Sequence, residues 1–120
     1  MDNFASIIGV PLSGDFVIVR LDTVDEPMID AAGRKAIACT HITGKKIAIS
    51  IRHDLSEKEM SVTLYHEILE ALTVGCDEPP SSVLEYREGD FEREAYAAFE
   101  KFGTANPDTL RRMLQSFGFS

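Results

Sequence analysis

One stretch decides the fold: residues 56–75, which read SEKEMSVTLYHEILEALTVG. Ser56 and Glu59 form a capping box, the pattern in which two residues cap each other at the start of a helix. The apolar residues that follow recur at helical spacing, and Gly75 stands where a helix of this length would end. These signals predict one helix over residues 57–74. Its apolar stripe consists of Met60, Leu64, Ile68, Ala71 and Leu72, widened by Val62, Tyr65 and Leu69.

Strand signals precede this helix. Phe16 to Leu21 are rich in β-branched residues, and two further runs, Lys35 to His41 and Lys46 to Ile51, flank a short link from Ile42 to Lys45 that contains glycine. Two such runs around a short glycine link predict a β-hairpin. In the last run isoleucine alternates with small residues, so we expect a helix to pack on its apolar face.

Two more helices are predicted after the first one. The adjacent Pro79 and Pro80 exclude a continuous helix. Asp90 is expected to cap a second helix over residues 91–102, with a short helical lead-in at 83–87. A third helix is expected over residues 107–117, with proline at its first position.

The order of these elements predicts the fold class. Strands lie at about residues 16–51 and the helices follow, which is typical of an α+β fold. We expect a small antiparallel or mixed sheet of three or four strands, packed under the first helix. A chain of 120 residues is enough for one core, so residues 1–120 are expected to form a single domain.

Charge and composition restrict the partners. Acidic side chains outnumber basic ones by 20 to 12, and the formal net charge is −8. Such a surface repels phosphate backbones and anionic lipid, so neither nucleic acid nor a membrane is an expected partner. The first residues have no basic segment and no unbroken apolar run, which predicts neither a signal peptide nor a membrane span. Cys39 and Cys76 are expected to be buried thiols rather than a disulfide, which predicts a cytoplasmic location.

The first helix carries an HExxE pattern, His66-Glu67-Ile68-Leu69-Glu70. His66 and Glu70 are one helical turn apart and project from one face, while Glu67 stands about 100° round the axis. Ionisable groups in so apolar a helix need a partner, because an unpaired buried charge is costly or is neutralised by a shifted pKa. A divalent cation would be such a partner. The other interpretation is a simple intrahelical pair at the surface.

The segment from Gly44 to Phe102 resembles the ImmA/IrrE-type metallopeptidases. These are minimal zincins with a strand, a helix carrying HExxH, and a later helix whose glutamate lies in an ExxA context. The later helix here reads Glu92-Arg93-Glu94-Ala95-Tyr96. The resemblance implies that His66 is the first metal ligand and Glu67 the general base. It also places Glu70 where the second histidine would be and makes Glu92 the third ligand.

The chain departs from this family at several positions. Glu70 replaces a histidine, Leu69 stands where glycine is frequent, and Tyr96 where asparagine is frequent. We find neither the N-terminal helix nor the helix-turn-helix that usually accompanies the family. One histidine with two glutamates is a hard, anionic ligand set, which suits zinc but also accepts manganese, iron or magnesium. It makes a water at the metal less acidic than a more cationic site would.

The residue pattern leaves the third carboxylate open. Glu92 and Glu94 both lie at the margins of the apolar face of the second helix, and the ExxA spacing favours Glu92. Glu85 and Glu88, in the lead-in to that helix, are further candidates. A tyrosine near the metal would be able to steady an oxyanion. Two further histidines, His41 and His53, are expected at strand ends or turns rather than as ligands. Tyr65 and Tyr96 are expected at the margins of the core.

Two functions of different class follow from this pattern. The first is a metal-dependent peptidase, in which the metal and Glu67 activate a water against the bond of a peptide lying along the sheet edge. The alternative is a degenerate zincin-like binding module that holds a protein partner without turnover. The resemblance supports the first and the HExxE pattern supports the second. The sequence determines neither the substrate or partner nor the metal or the oligomeric state.

Overall fold

A computed structural model describes residues 2–25, 28–29 and 35–119. Within the predicted strand region, residues 26, 27 and 30–34 lie outside the described residues, as do residues 1 and 120 at the ends of the predicted domain. Short 3-10 helices span Asp2–Ile7 and Ser81–Val83. The other elements are strands β1 (Pro11–Ser13), β2 (Phe16–Val24), β3 (Met28–Ile29), β4 (Lys35–Ala36), β5 (Ala38–Thr43) and β6 (Lys46–Arg52), and helices α1 (Glu57–Gly75), α2 (Glu88–Phe102) and α3 (Pro107–Ser116).

Four of the strands form a mixed sheet in the order β1-β2-β6-β5. The outer pairs, β1 with β2 and β5 with β6, are antiparallel, whereas the central pair of β2 and β6 is parallel. Strands β3 and β4 form a separate two-stranded ribbon. The predicted α+β fold, with a small mixed sheet preceding three helices, is confirmed. Strand β5 lies at one edge of the sheet.

The prediction of one strand over residues 35–41 is wrong. Lys35–Ala36 pairs with β3, whereas Ala38–Thr43 pairs with β6. The chain changes its pairing partner at Ile37, which a continuous β-type composition does not reveal. The predicted strand over residues 16–21 is longer than expected, because its last residues continue the parallel pairing with β6 as far as Val24.

The predicted hairpin exists, but its turn is tighter than the predicted link over residues 42–45. Ile42 and Thr43 belong to β5 and pair with β6, so the turn consists of Gly44 and Lys45. Gly44 has a φ of +63°, a left-handed conformation that glycine adopts without strain.

The core lies between the sheet and α1. Ile47, Ile49 and Ile51 on β6 are at most 1% exposed, and all eight residues of the predicted apolar stripe on α1 are buried. This confirms that α1 packs on the isoleucine face of the hairpin. Full burial of each isoleucine side chain contributes about 1.5–3 kcal/mol.

Helix α1 begins as predicted and ends one residue later, at Gly75. Ser56 and Glu59 form the capping box, and the N–H of Cys76 donates to the carbonyl of Leu72 at the other end. A Cβ atom at Gly75 would lie 3.2 Å from a ring carbon of Phe16. Glycine therefore lets the end of α1 approach the sheet closely.

The predicted start of the second helix is wrong by three residues. Helix α2 begins at Glu88 rather than Phe91, and Asp90 lies in its first turn, where its carboxylate accepts a hydrogen bond of 2.9 Å from the N–H of Arg87. An acidic side chain can accept hydrogen bonds from the free N–H groups at a helix start either from the cap position or from within the first turn. Asp90 therefore predicts a helix start nearby but does not determine its first residue. The predicted lead-in at 83–87 is replaced by the 3-10 turn at Ser81–Val83, and the third helix ends one residue earlier than predicted.

Both cysteines carry free thiols, and they are half-buried rather than buried. None of the helices in the described residues combines the length and the apolar character that crossing a membrane would require.

Candidate functional site

A cleft of about 1060 Å³ lies where the edge strand β5 faces the helices. Alternate residues of β5 line it, and α1 and α2 contribute its ionisable side chains. The polar lining residues include Thr40 of β5, His66, Glu67 and Glu70 of α1, and Glu88, Glu92 and Tyr96 of α2.

His66 lies where two carboxylates converge. Its Nε2 atom is 3.1 Å from Oε2 of Glu70 and 2.9 Å from Oε1 of Glu88. One ligand atom from each of these three side chains lies within 4.8 Å of the others. In the described part of the chain, this is the one group of three side chains placed to share a metal ion.

Helix geometry and one aromatic contact explain the convergence. His66 and Glu70 share a face of α1 because they are one turn apart. On α2, the buried ring of Phe91 stacks on the ring of His66, with centroids 6.4 Å apart and planes inclined by 20°. Glu88 precedes Phe91 by three residues and therefore projects from the same side of α2. The packing of Phe91 against α1 thus brings Glu88 to His66.

The carboxylates around His66 favour its charged form. Burial opposes the imidazolium, but the hydrogen bond with Glu70 and the negative charges of the neighbouring glutamates outweigh burial, so the pKa of His66 is raised above its ordinary value. The side chain of His66 is only 15% exposed, which limits screening by water. His66 therefore holds a proton more firmly than an isolated histidine does.

Glu70 and Glu88 are shifted in opposite directions. The hydrogen bond with His66 lowers the pKa of Glu70. Burial, together with the nearby charge of Glu70, raises the pKa of Glu88. Two carboxylates this close repel each other when both are ionised, so Glu88 is the one that takes up a proton first.

Glu67 points from α1 to the edge strand. Its Oε2 atom accepts a hydrogen bond of 2.9 Å from the hydroxyl of Thr40. Burial raises the pKa of Glu67, while the hydrogen bond from Thr40 opposes that shift. The carboxylate of Glu67 is thus a half-buried proton acceptor beside the group formed by His66, Glu70 and Glu88.

The donor set of this group fits a divalent cation. Nε2 of His66 faces two carboxylate oxygens but carries at most one hydrogen, so it cannot donate a full hydrogen bond to both. An imidazole lone pair and two carboxylates are, in contrast, a suitable ligand set for zinc, and for harder cations such as manganese or magnesium. The surplus of acceptors at one nitrogen is the feature that a cation would resolve.

The structure brings together two of the three predicted ligands. His66 and Glu70 meet, whereas Glu92, predicted as the third ligand, lines the cleft without joining the group. Glu88 occupies the third place, because α2 starts early enough to put this residue one turn ahead of Glu92. The geometry therefore favours Glu88, which the sequence left as a further candidate.

The remaining candidates lie elsewhere. Glu94 accepts a hydrogen bond of 3.2 Å from the hydroxyl of Tyr86, and Glu85 is exposed outside the cleft lining. The exposed His41 contacts Cys39 within its own strand, and the hydroxyl of Tyr65 donates to the carbonyl of Gly103. The other two residues are placed differently: His53 contacts Asp25, and Tyr96 is half exposed in the cleft.

Thr40 is a site residue that the sequence reasoning missed. The alternation of β5 contains a signal for it, because Ala38, Thr40 and Ile42 all face the cleft, as every second residue of a strand must. Recognising it required the correct strand boundaries, since the partner residue Glu67 lies on another element.

Comparison of the chain with protein-family models, with curated proteins and with solved structures finds no match.

Proposed function

We propose that this chain is a metal-dependent peptidase with a zincin-like site, formed by His66, Glu70 and Glu88 with Glu67 as the general base. The observation that carries the proposal is the convergence of one imidazole and two carboxylates beside a separate, half-buried glutamate, in a cleft bordered by an open strand edge. The order of strand, metal-binding helix and later glutamate-bearing helix is that of the family the sequence resembles.

His66, Glu70 and Glu88 would hold the cation, most favourably zinc, with manganese, iron or magnesium as alternatives. When bound, the cation supplies Lewis acidity that polarises a scissile carbonyl and makes a water more acidic. The second carboxylate in place of a histidine weakens that acidity, so we expect slow turnover compared with a site of two histidines and one glutamate.

Glu67 has the position and the proton affinity of a general base. Burial raises its pKa, which makes Glu67 a better proton acceptor than an exposed glutamate. In the proposed reaction Glu67 takes a proton from water as the water oxygen bonds to the carbonyl carbon. It then passes this proton to the leaving amine nitrogen as the carbon–nitrogen bond breaks.

An extended peptide is the substrate that suits the cleft. Strand β5 pairs with β6 on one side, and no other strand of the described residues pairs with its second side. A peptide can add to such an edge through main-chain hydrogen bonds, which places its carbonyl groups along the row of ionisable residues. The net charge of −8 continues to argue against nucleic acid and membranes as partners. We propose a cytoplasmic location, where thiols such as Cys39 and Cys76 stay reduced.

A binding module without turnover is the second candidate. The observation in its favour is the glutamate at position 70, because an anionic ligand set makes a poorer activator of water. The same strand edge would then hold a protein partner, and the metal would have a structural role.

The decisive experiment combines metal analysis with peptide cleavage. The protein is purified without chelator, its metals are measured by elemental analysis, and a peptide library is tested with wild type, Glu67→Gln and His66→Ala. Glu67→Gln should retain metal and lose most turnover, because the base is removed and the ligands are kept. His66→Ala should lose both metal and turnover.

Two exposed residues outside both β5 and the cleft lining provide matched controls, Glu100→Gln and His53→Ala. Both controls should behave like wild type. Stoichiometric metal without cleavage in any variant would replace the peptidase by the binding module. A wild type that takes up no metal would rule out both forms of the proposal.

A further inference from the structure

We propose that Thr40 is a positioning residue that aims the carboxylate of Glu67 at the reacting water. The inference rests on the proposed peptidase function and adds a residue outside the HExxE pattern. The hydroxyl of Thr40 donates to Oε2 of Glu67 at 2.9 Å, across the cleft from β5 to α1.

The hydrogen bond fixes a side chain that is otherwise mobile. A glutamate side chain has several rotatable bonds and can adopt many rotamers. Rotamers that point the carboxylate away from the water reduce the fraction of molecules in which proton transfer is possible. Thr40 occupies Oε2 and leaves Oε1 without a hydrogen bond to any other described residue. Oε1 is therefore the oxygen available to a water.

Thr40 is itself held firmly. Its β-branched side chain has few rotamers, and its backbone is paired with Ile49 of β6, whose side chain is 1% exposed. The direction of the hydroxyl is consequently set by the sheet rather than by α1. This gives the base a support that does not depend on the metal ligands next to it in sequence.

The same strand edge is the one along which the peptide is proposed to lie. A base that is hydrogen-bonded to this strand keeps a constant relation to any peptide paired with the strand. Thr40 would thus fix the position of the Glu67 carboxylate relative to the scissile carbonyl. Efficient proton transfer requires such a fixed geometry.

The test compares Thr40→Val, which keeps the shape and removes the donor, with Thr40→Ser, which keeps the donor. The matched control is Thr23→Val, because Thr23 is exposed on β2, away from the strand along which the peptide is proposed to lie, and does not line the cleft. We expect Thr40→Val to lower kcat on the order of 10- to 100-fold, with KM nearly unchanged. Thr40→Ser should recover most of the loss, and Thr23→Val should match wild type.

Two further measurements exclude a merely structural role. Bound metal and melting temperature should be the same in Thr40→Val as in wild type. In the Glu67→Gln background, Thr40→Val should cause no additional loss of kcat, since a residue that acts only through Glu67 has nothing left to position.

The possible outcomes separate this inference from the proposed function. If wild type cleaves and Thr40→Val has a normal kcat, the positioning role is wrong and the peptidase stands. The role is also wrong if Thr40→Val loses metal or stability along with activity, or if Thr40→Ser fails to restore kcat. If wild type cleaves no peptide with any metal, the peptidase fails and the positioning role of Thr40 fails with it.

Discussion

His66 is the residue at which the charges of the site are balanced. Its Nε2 atom is within 3.1 Å of both Glu70 and Glu88, so the group needs positive charge from some source. In the absence of a cation, protons supply that charge, as the raised pKa values of His66 and Glu88 indicate. A metal ion at the proposed site would therefore compete with protons for the same atoms.

This competition predicts how metal affinity depends on pH. Because the pKa of His66 is raised, its proton would compete with a metal ion up to a higher pH than at an ordinary histidine, and we expect zinc affinity to rise as the pH increases through about 6.5 and above. Glu70 adds little to this dependence, because its lowered pKa leaves it already ionised. Calorimetry in two buffers with different ionisation enthalpies measures the proton release directly. An affinity that is constant over this range would contradict the prediction.

Two matched substitutions one helical turn apart test which residue is the third ligand of the proposed metal site. Glu88→Gln should weaken zinc binding roughly tenfold or more, because it removes a carboxylate that contacts His66. Glu92→Gln should leave zinc binding nearly unchanged, since Glu92 lies outside the group. Equilibrium titration against a chromogenic chelator gives both affinities. The reverse order of effects would restore Glu92 as the ligand.

The sequence was sufficient to pair His66 with Glu70, because a spacing of four residues on a helix places two side chains on one face whatever surrounds them. It was not sufficient for Glu88. That choice depends on where α2 begins and on the stacking of Phe91 against His66, and both are set by contacts between two helices. Helical spacing is local information, whereas the approach of two helices is not.

The capping box of α1 is the local signal on which the strongest part of the fold prediction depends. The hydroxyl of Ser56 accepts from the N–H of Glu59 at 3.1 Å, and the carboxylate of Glu59 accepts from the N–H of Ser56 at 3.2 Å. Both partners lie within four consecutive residues, which explains why the start of this helix was predicted correctly.

We expect Ser56→Ala to lower the free energy of unfolding by about 1 kcal/mol, since it leaves a helix N–H without its acceptor. Urea titration followed by circular dichroism measures the change. The exposed Ser81, which caps no α-helix, provides the control, and Ser81→Ala should alter stability far less. Equal effects of the two substitutions would show that the cap does not stabilise α1.

A buried hydrogen bond joins the first helix to the connection between the last two. Ser61 is 0% exposed, and its hydroxyl accepts from the N–H of Ala105 at 3.1 Å. Ser61→Ala should lower the free energy of unfolding by about 1–3 kcal/mol, because the buried N–H of Ala105 loses its partner. The same change at the exposed Ser6 should have little effect in the same denaturation assay. A neutral Ser61→Ala would indicate that water reaches this N–H.

The order of the strands in the sheet is the part of the architecture that was least predictable from the sequence. Alternating isoleucines identify β6 as a strand with one buried face, but they do not say which strand lies beside it. Its parallel neighbour, β2, precedes it in the chain, and β3, β4 and β5 lie between them in sequence. Pairing between such distant segments depends on the complete core, so composition and periodicity give only the class of sheet.

That central parallel pair determines the order in which the chain can assemble. The β5–β6 hairpin closes across Gly44 and Lys45, whereas β2 can join β6 only after a much longer loop is closed, at a greater entropic cost. We therefore expect the hairpin to be formed in the folding transition state before β2 docks. Ile49→Val should then have a higher φ-value than Ile18→Val in stopped-flow measurements, and the opposite ranking would refute this order. On this pathway the strand that borders the cleft is in place before the sheet behind it is complete.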